Sequence, residues 1–307
     1  MKGELKKLLF YFSKAIIIII CIDFVLGFIL SSLFEKIEGR EVSRTRYVIK
    51  ECKADVIVLG SSRALNHYHP KLIGDSLRLS VYNAGIEIQN ILYHATILKL
   101  IVKRHKPSIV ILDINENELI FEQVKYDKLN TLLPYYNSFY EVRETVDLVN
   151  PHYRFFSWLS ILPYNSYFFT ILSRSIFNQK NKTDLNGYIS RPGHYNHAIE
   201  TENNCHDLIF DSKLQNALIE SIEFCKENSI KLYVFISPRF RNYSCKRMDL
   251  IKVKEVIKSM KMPVYDFSND EKYKSNPSLF SDQDHLNVDG SMEFSKDVVR
   301  VLRKEGN

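Results

Sequence analysis

The chain has 307 residues, 45% of them hydrophobic and 25% charged, with 42 Lys and Arg against 36 Asp and Glu. That apolar share excludes an intrinsically disordered chain, and the length allows one large domain or two ordinary ones. The net charge of +6 is mild and spread along the sequence. The basic clusters at 99–106 and 252–261 read as solvated helix faces, so no nucleic-acid partner is expected.

Residues 1–14 form a short flank carrying Lys2, Lys6, Lys7 and Lys14. Residues 15–34 follow as an apolar span containing five consecutive isoleucines, Ile16 to Ile20, long enough to cross a bilayer as a helix. Asp23 interrupts it, at a cost of roughly 2.5–3.5 kcal/mol on an insertion scale, which the surrounding Ile, Leu, Phe and Val offset. No small-residue cleavage site follows, so the segment reads as a transmembrane helix and not as a signal peptide. Cys21 has no small residue before it, which argues against lipoprotein processing. Lys36, Arg40, Arg44, Arg46 and Lys50 balance the basic flank, so charge does not choose an orientation. Residues 35–53 read as a charged stalk.

From Asp55 a strand–helix alternation begins. Strands are predicted at 56–59, 80–83 and 109–112, with a helix over 91–102 between the second and third. Residues 121–204 lack this rhythm and are rich in Tyr, Phe and Asn, which predicts an insertion, partly helical, within the same domain. Its aromatic rings suit either stacking on sugars or packing as a lid. The rhythm resumes with a helix over 214–227, a strand at 232–236, a helix over 247–260, a short strand at 263–267 and a last helix over 289–303 capped by Asp289. Such alternation predicts an α/β domain over 54–307 with a parallel sheet covered on both faces. Ligands bind such sheets outside the carboxyl ends of their strands.

Three strand ends carry polar, chemistry-bearing residues. The first strand runs into Gly60-Ser61-Ser62, where glycine permits a tight turn and the serine can expose its hydroxyl above the sheet. A helix N-cap also accounts for serine at that place. The second strand ends in Asn83-Ala84-Gly85. The third runs into Asn115-Glu116-Asn117-Glu118. Near the C-terminus, Asp282-Gln283-Asp284-His285 supplies the acid and base that a serine nucleophile requires.

These four stretches resemble the signature blocks of the SGNH (GDSL-like) hydrolase superfamily, and the resemblance extends from about Ala54 to Val301 with the insertion unmatched. It implies a three-layer α/β/α, flavodoxin-like parallel sheet. It also implies Ser62 as nucleophile, His285 as general base and Asp282 as the acid that orients it. Asp284 competes for that last role, and the family spacing favours Asp282. The backbone N–H groups of Ser62 and Gly85 and the Asn117 amide would form the oxyanion hole, with Asn115 as the alternative asparagine. Ser61 replaces the family's usual aspartate, a variation that resembles membrane-anchored branches acting on cell-surface polymers.

The expectation is therefore a membrane-anchored O-acetyltransferase or esterase acting on a cell-envelope polysaccharide. Its domain would lie in the periplasm or outside the cell. Its partners would be an acylated polysaccharide or other acyl donor, including a membrane-bound acyl-donor protein. The alternative is a catalytically silent domain of the same fold that binds or scaffolds envelope polysaccharide machinery. His67 and His69 read as exposed helix residues. His194, His197, Cys205 and His206 lack regular metal-ligand spacing, and no phosphate-binding glycine motif follows a strand, so neither metal nor cofactor is expected. The five cysteines leave open a Cys205–Cys245 disulfide or free buried thiols.

Overall fold

Short runs, too short for helices and mostly buried, become the strands of one parallel sheet. A computed structural model describes residues 2–38, 40–176, 186–202 and 208–306. In chain order the elements used below are α1 Lys2–Phe34, α2 Arg40–Lys50, β1 Val56–Leu59, α3 Ser62–His67, α4 Pro70–Leu77, β2 Val81–Asn83, α5 Ile91–Arg104 and β3 Ile109–Asp113. They continue with α6 Phe168–Ile176, β4 Glu200–Glu202, α7 Ser212–Glu227, β5 Lys231–Ile236, β6 Arg241–Tyr243, α8 Met248–Ser259, β7 Val264–Asp266 and α9 Val288–Gly306. The described residues form two compact units. One holds the chain up to Ser43 together with the stretch from Leu129 through α6, and the other holds Arg44–Lys128 and the described residues from Asn186 onward.

In the second unit, β2, β1, β3, β5 and β7 lie side by side in that order, and all are parallel. This is the flavodoxin-like strand order, which reverses beside β1 and opens a crevice there at the carboxyl ends. Successive side chains of a strand point to opposite faces. Val56, Val58, Ile111, Tyr233 and Phe235 join one core with Phe294, Val298 and Leu302 of α9. Ile57, Leu59, Val110, Leu112 and Val234 are equally buried. Both faces are thus covered, which is why the strands show apolar runs in place of alternation.

The stalk expected at 35–53 is not free. From Arg44 onward α2 belongs to the sheet unit: the Arg44 guanidinium donates to the Asn83 carbonyl at 3.2 Å, the Gly85 carbonyl at 2.9 Å and the Gly187 carbonyl. Arg104 donates to the Val48, Ile49 and Cys52 carbonyls at the end of α2, satisfying acceptors that a helix C-terminus leaves open.

The insertion is bracketed by an antiparallel bridge between Ile120 and Phe210, slightly outside the expected bounds. Its strand β4 pairs in parallel with β6, which lies beyond the insertion after β5, in a two-stranded ribbon not foreseen from periodicity. The last helix begins one residue earlier than expected. Its cap is Asn287, whose Oδ1 accepts the Gly290 N–H at 3.0 Å, and not Asp289.

In the first unit, α1 is long and apolar enough to cross a membrane. Phe34 at its end is buried among the rings of Tyr135, Tyr164 and Tyr167.

Candidate active site

The turn from β1 to α3 demands glycine. Gly60 has φ +142°, and a Cβ there would lie 2.5 Å from the Asp113 carbonyl oxygen. Ser61 precedes α3 without making a side-chain capping bond. The first-turn N–H groups of α3, that of Ser62 among them, therefore receive no cap from it. Ser62 itself is partly exposed at the carboxyl end of β1.

Across the crevice, the loop before α9 presents His285. Its Nε2 lies 2.9 Å from Ser62 Oγ, and its Nδ1 lies 2.8 and 3.0 Å from the two Asp282 oxygens. With Nδ1–H donating to the carboxylate, Nε2 is left to accept the serine proton. Asp282 Oδ1 also accepts the backbone N–H groups of Asp284 and His285, each at 2.9 Å. Burial pushes the Asp282 carboxyl up, but the His285 ring, the Asp284 N–H and Arg191 outweigh it and hold the group at about 2. Asp282 therefore stays ionised at neutral pH.

The loop is fixed from several sides. Ser281 N–H donates to the His285 carbonyl at 2.9 Å. Asn287 donates to the Ser278 carbonyl at 2.7 Å and the Gly193 carbonyl at 2.9 Å. His67 Nε2 accepts the Leu286 N–H at 3.0 Å. His67 is thus not an exposed helix residue. It is fully buried, and burial together with the charges of His285, Arg63 and Arg191 pushes its pKa well below the usual imidazole range. His69 caps α4, with Nδ1 accepting the Leu72 N–H.

A chain of ion pairs joins the Ser62 turn to the His285 loop. Arg63, directly after Ser62, pairs with Glu116 at 3.1 Å, and Arg239 pairs with Glu116 at 3.1 Å and with Asp284 at 2.6 Å. Arg241 completes the hold on Asp284 at 3.0 Å. Asp284, the competing acid, is therefore engaged by two arginines and turned to a structural role. Burial pushes the Glu116 carboxyl up, yet Arg63 and Arg239 overcome it and bring it down to about 2. Beside this chain, Asp113 at the end of β3 accepts from Tyr68 Oη, Ser237 N and Ser237 Oγ. Burial dominates there, and the Asp113 carboxyl is pushed up to about 6.

On the oxyanion side the structure departs from expectation. Gly85 N–H donates to Asn83 Oδ1 at 3.0 Å. A Cβ at Gly85 would meet Leu65 N at 2.5 Å, so this glycine is needed for the close approach of the β2 exit to α3. Asn83 Nδ2 fastens the same contact, donating to the Ala64 and Tyr68 carbonyls. The Asn117 amide donates to Glu122 Oε1 at 2.5 Å, away from the role expected of it. Asn115 is the asparagine tied to the Ser62 turn, its Oδ1 accepting Arg63 Nε at 2.9 Å.

Arg191 was not foreseen. It lies within the insertion yet donates to Asp282 Oδ2 at 3.0 Å and to Asn66 Oδ1 at 2.9 Å. No local pattern marks it, since only folding brings residue 191 to residue 282. Glu116 carried one signal, an acid between two asparagines at a strand exit. Among the described residues no His, Cys, Asp and Glu group has metal-binding geometry, and Cys205 and His206 lie outside them. Cys21, Cys52 and Cys225 are free, and Cys245 is disulfide-bonded. A separate cavity of about 930 Å³ lies at the opposite end of the strands, between Tyr47, Lys53, Arg78 and Ser80, and includes none of the triad residues.

No family model and no curated protein matches the chain. Among solved structures it is similar to a lipase/acylhydrolase from Enterococcus faecalis, with 14% identity, a TM-score of 0.43, and coverage of 81% of this chain and 96% of that one. It is also similar to an acetyl xylan esterase (12% identity, TM-score 0.40, 80% and 98% covered). A third is a protein described as lipolytic, of the G-D-S-L family, from Desulfitobacterium hafniense (12% identity, TM-score 0.42, 80% and 98% covered).

Proposed function

We propose that the chain is a serine acyl-transfer enzyme of the SGNH type, working as an O-acetyltransferase or esterase on a cell-surface polysaccharide. The observation that carries this reading is the unbroken line from Ser62 Oγ through the His285 ring to Asp282. In the proposed reaction, Ser62 Oγ attacks the acyl carbonyl while His285 Nε2 takes its proton. The carbon–oxygen bond to the leaving alcohol breaks, and His285 returns the proton to that alcohol, leaving an acyl-serine. An acceptor hydroxyl then gives its proton to His285 and attacks the acyl carbon, and Ser62 is regenerated. Water as acceptor makes an esterase, and a sugar hydroxyl makes a transferase. Asp282 orients the imidazole and stabilises its charged form.

The Ser62 N–H at the uncapped start of α3 is the best placed oxyanion donor, and Asn115 its side-chain companion. The envelope setting is supported by the apolar α1 and by the bonded state of Cys245, since disulfides persist in oxidising compartments. In this reading the sheet unit, 44–128 and 186–306, faces the periplasm or exterior, with acylated polysaccharide or a membrane-bound acyl-donor protein as partner.

A fluorophosphonate probe tests the chemistry. Wild type labels at Ser62, Ser62→Ala does not, and intact mass after incubation with acetyl donors shows an acetyl adduct on wild type alone. Absence of labelling on folded wild type overturns the enzyme reading in favour of a silent binding domain, a reading that the engaged donors at Gly85 and Asn117 would then explain.

A further inference from the structure

The aromatic insertion has a surface that the proposed reaction does not use. Within the first unit, Asp23 Oδ2 accepts the Ser160 N–H at 2.7 Å, and Asp23 Oδ1 accepts the Ile161 N–H at 3.3 Å. One turn along α1, a Cβ on Gly27 would lie 2.3 Å from Ser160 Cβ, so only glycine lets the chain come this close. Residues 160 and 161 therefore rest on α1 at a level 7 to 11 residues before Phe34, about 10–16 Å at the rise of a helix. At that same level Phe24, Val25, Phe28 and Ile29 of α1 are exposed.

The segment resting there exposes large apolar side chains of its own: Phe155, Phe156, Trp158, Phe168, Phe169 and Leu172. Trp158 is 64% exposed and Phe169 81%. Tyr153, Tyr164 and Ile171 point inward and are buried. Trp158 Nε1 already donates to the Phe155 carbonyl at 3.1 Å, so the indole requires no water partner. Arg174, at the far end of α6, donates to the Glu38 carbonyl beyond the end of α1, where a basic side chain can reach the headgroups. An apolar patch of this size, continuous with the exposed girdle of a membrane-spanning helix, is suited to hydrocarbon and not to water.

We infer that residues 153–176 form a collar that enters the bilayer beside α1, in the half nearer Phe34, with the Asp23 carboxylate as its anchor. The inference rests on reading α1 as membrane-spanning. It also accounts for Asp23: at membrane depth a lone carboxylate and two unpaired N–H groups are each costly, and here they satisfy one another.

The chain holds a single tryptophan, so Trp158 reports on the collar directly. The full chain is reconstituted into vesicles of phosphatidylcholine and phosphatidylglycerol carrying doxyl-labelled lipid. The expected result is blue-shifted emission, lost to lipid labelled near the headgroup and insensitive to aqueous iodide. Quenching by iodide and not by labelled lipid overturns the collar, as does shielding from both quenchers, which would mean that a second copy covers the patch. A paired variant, Trp158→Phe with Ile19→Trp, places the reporter in α1. If that reporter is quenched by lipid labelled at the bilayer centre while native Trp158 is quenched by no labelled lipid, α1 spans and the collar is wrong. If neither is quenched by lipid, the spanning reading of α1 falls and the collar with it.

Discussion

The two halves of the candidate site are assembled with unequal rigour. On the base side, His285 is held through its ring by Asp282, through its own N–H by the same carboxylate, and through the next N–H by His67. Behind it stand Arg191, Arg239 and Arg241. On the oxyanion side, the two donors expected besides Ser62 are turned to neighbours, Gly85 N–H to Asn83 and the Asn117 amide to Glu122. The difference teaches that the fold itself fixes the line from Ser62 to Asp282. In the proposed reaction, charge stabilisation falls to the α3 terminus and to Asn115, whose Oδ1 accepts from Arg63.

The comparison breaks most sharply at Asp282. Asp282→Asn leaves the loop's shape but offers the imidazole the wrong partner, and kcat should fall by about 10⁴. If steady-state rates fall less than tenfold, the base side is not what drives the chemistry.

Glu116→Gln tests whether the ion-pair chain joins the halves. It leaves Arg63 and Arg239 buried without their shared carboxylate, a loss of about 3–5 kcal/mol in unfolding free energy. The pH dependence has a definite sign. The folded-state pKa of Glu116 lies below its ordinary 4.5, at about 2, so its stabilisation is fully present above 4.5 and is lost as pH falls toward 2. Denaturant titrations at several pH values should show the mutant's deficit shrinking across that window, and a deficit independent of pH would remove Glu116 from this role.

On the oxyanion side, Asn115→Ala should lower kcat by about 10²–10³, as loss of one oxyanion donor does. Asn117→Ala should cost less than about tenfold, because its amide serves Glu122. Reversed magnitudes would favour Asn117, the asparagine that the family resemblance implies.

The smallest effect is expected at Arg191. Arg191→Met removes a cation from Asp282, leaving that carboxylate's charge to the imidazole alone. The acid limb of the kcat/KM profile should move to higher pH with kcat nearly unchanged at its plateau. An unmoved limb with a lower plateau would mean that Arg191 acts on the substrate.

Much of this was legible before folding. The strands at 56–59, 109–112 and 232–236 announce themselves because a strand covered on both faces must be apolar throughout. Gly60 is legible because a strand-to-helix turn of that sharpness has no room for a side chain. The stalk was misread because Arg44 and the exposed charges around it resemble solvated positions, while its guanidinium in fact satisfies carbonyls at the β2 exit. His67 was misread for a similar reason, since a polar residue in a short helix looks exposed until the element packed over it is known.

What the sequence determined alone was local: which segments are strands, where one segment is apolar enough to span a bilayer, and that a serine turn and an Asp-x-x-His loop both exist. Hydrophobic periodicity and glycine sterics act over a few residues, so they can be read in one dimension. Tertiary structure alone decided which donors remain for an oxyanion, which of two acids faces His285, and which carboxylates share arginines. Those outcomes depend on side chains more than a hundred residues apart, such as Glu116 with Arg239 and Ser62 with His285. Their hydrogen bonds are directional and short-ranged, so a shift of one residue in a strand exit reassigns the partner and leaves no trace in composition or spacing.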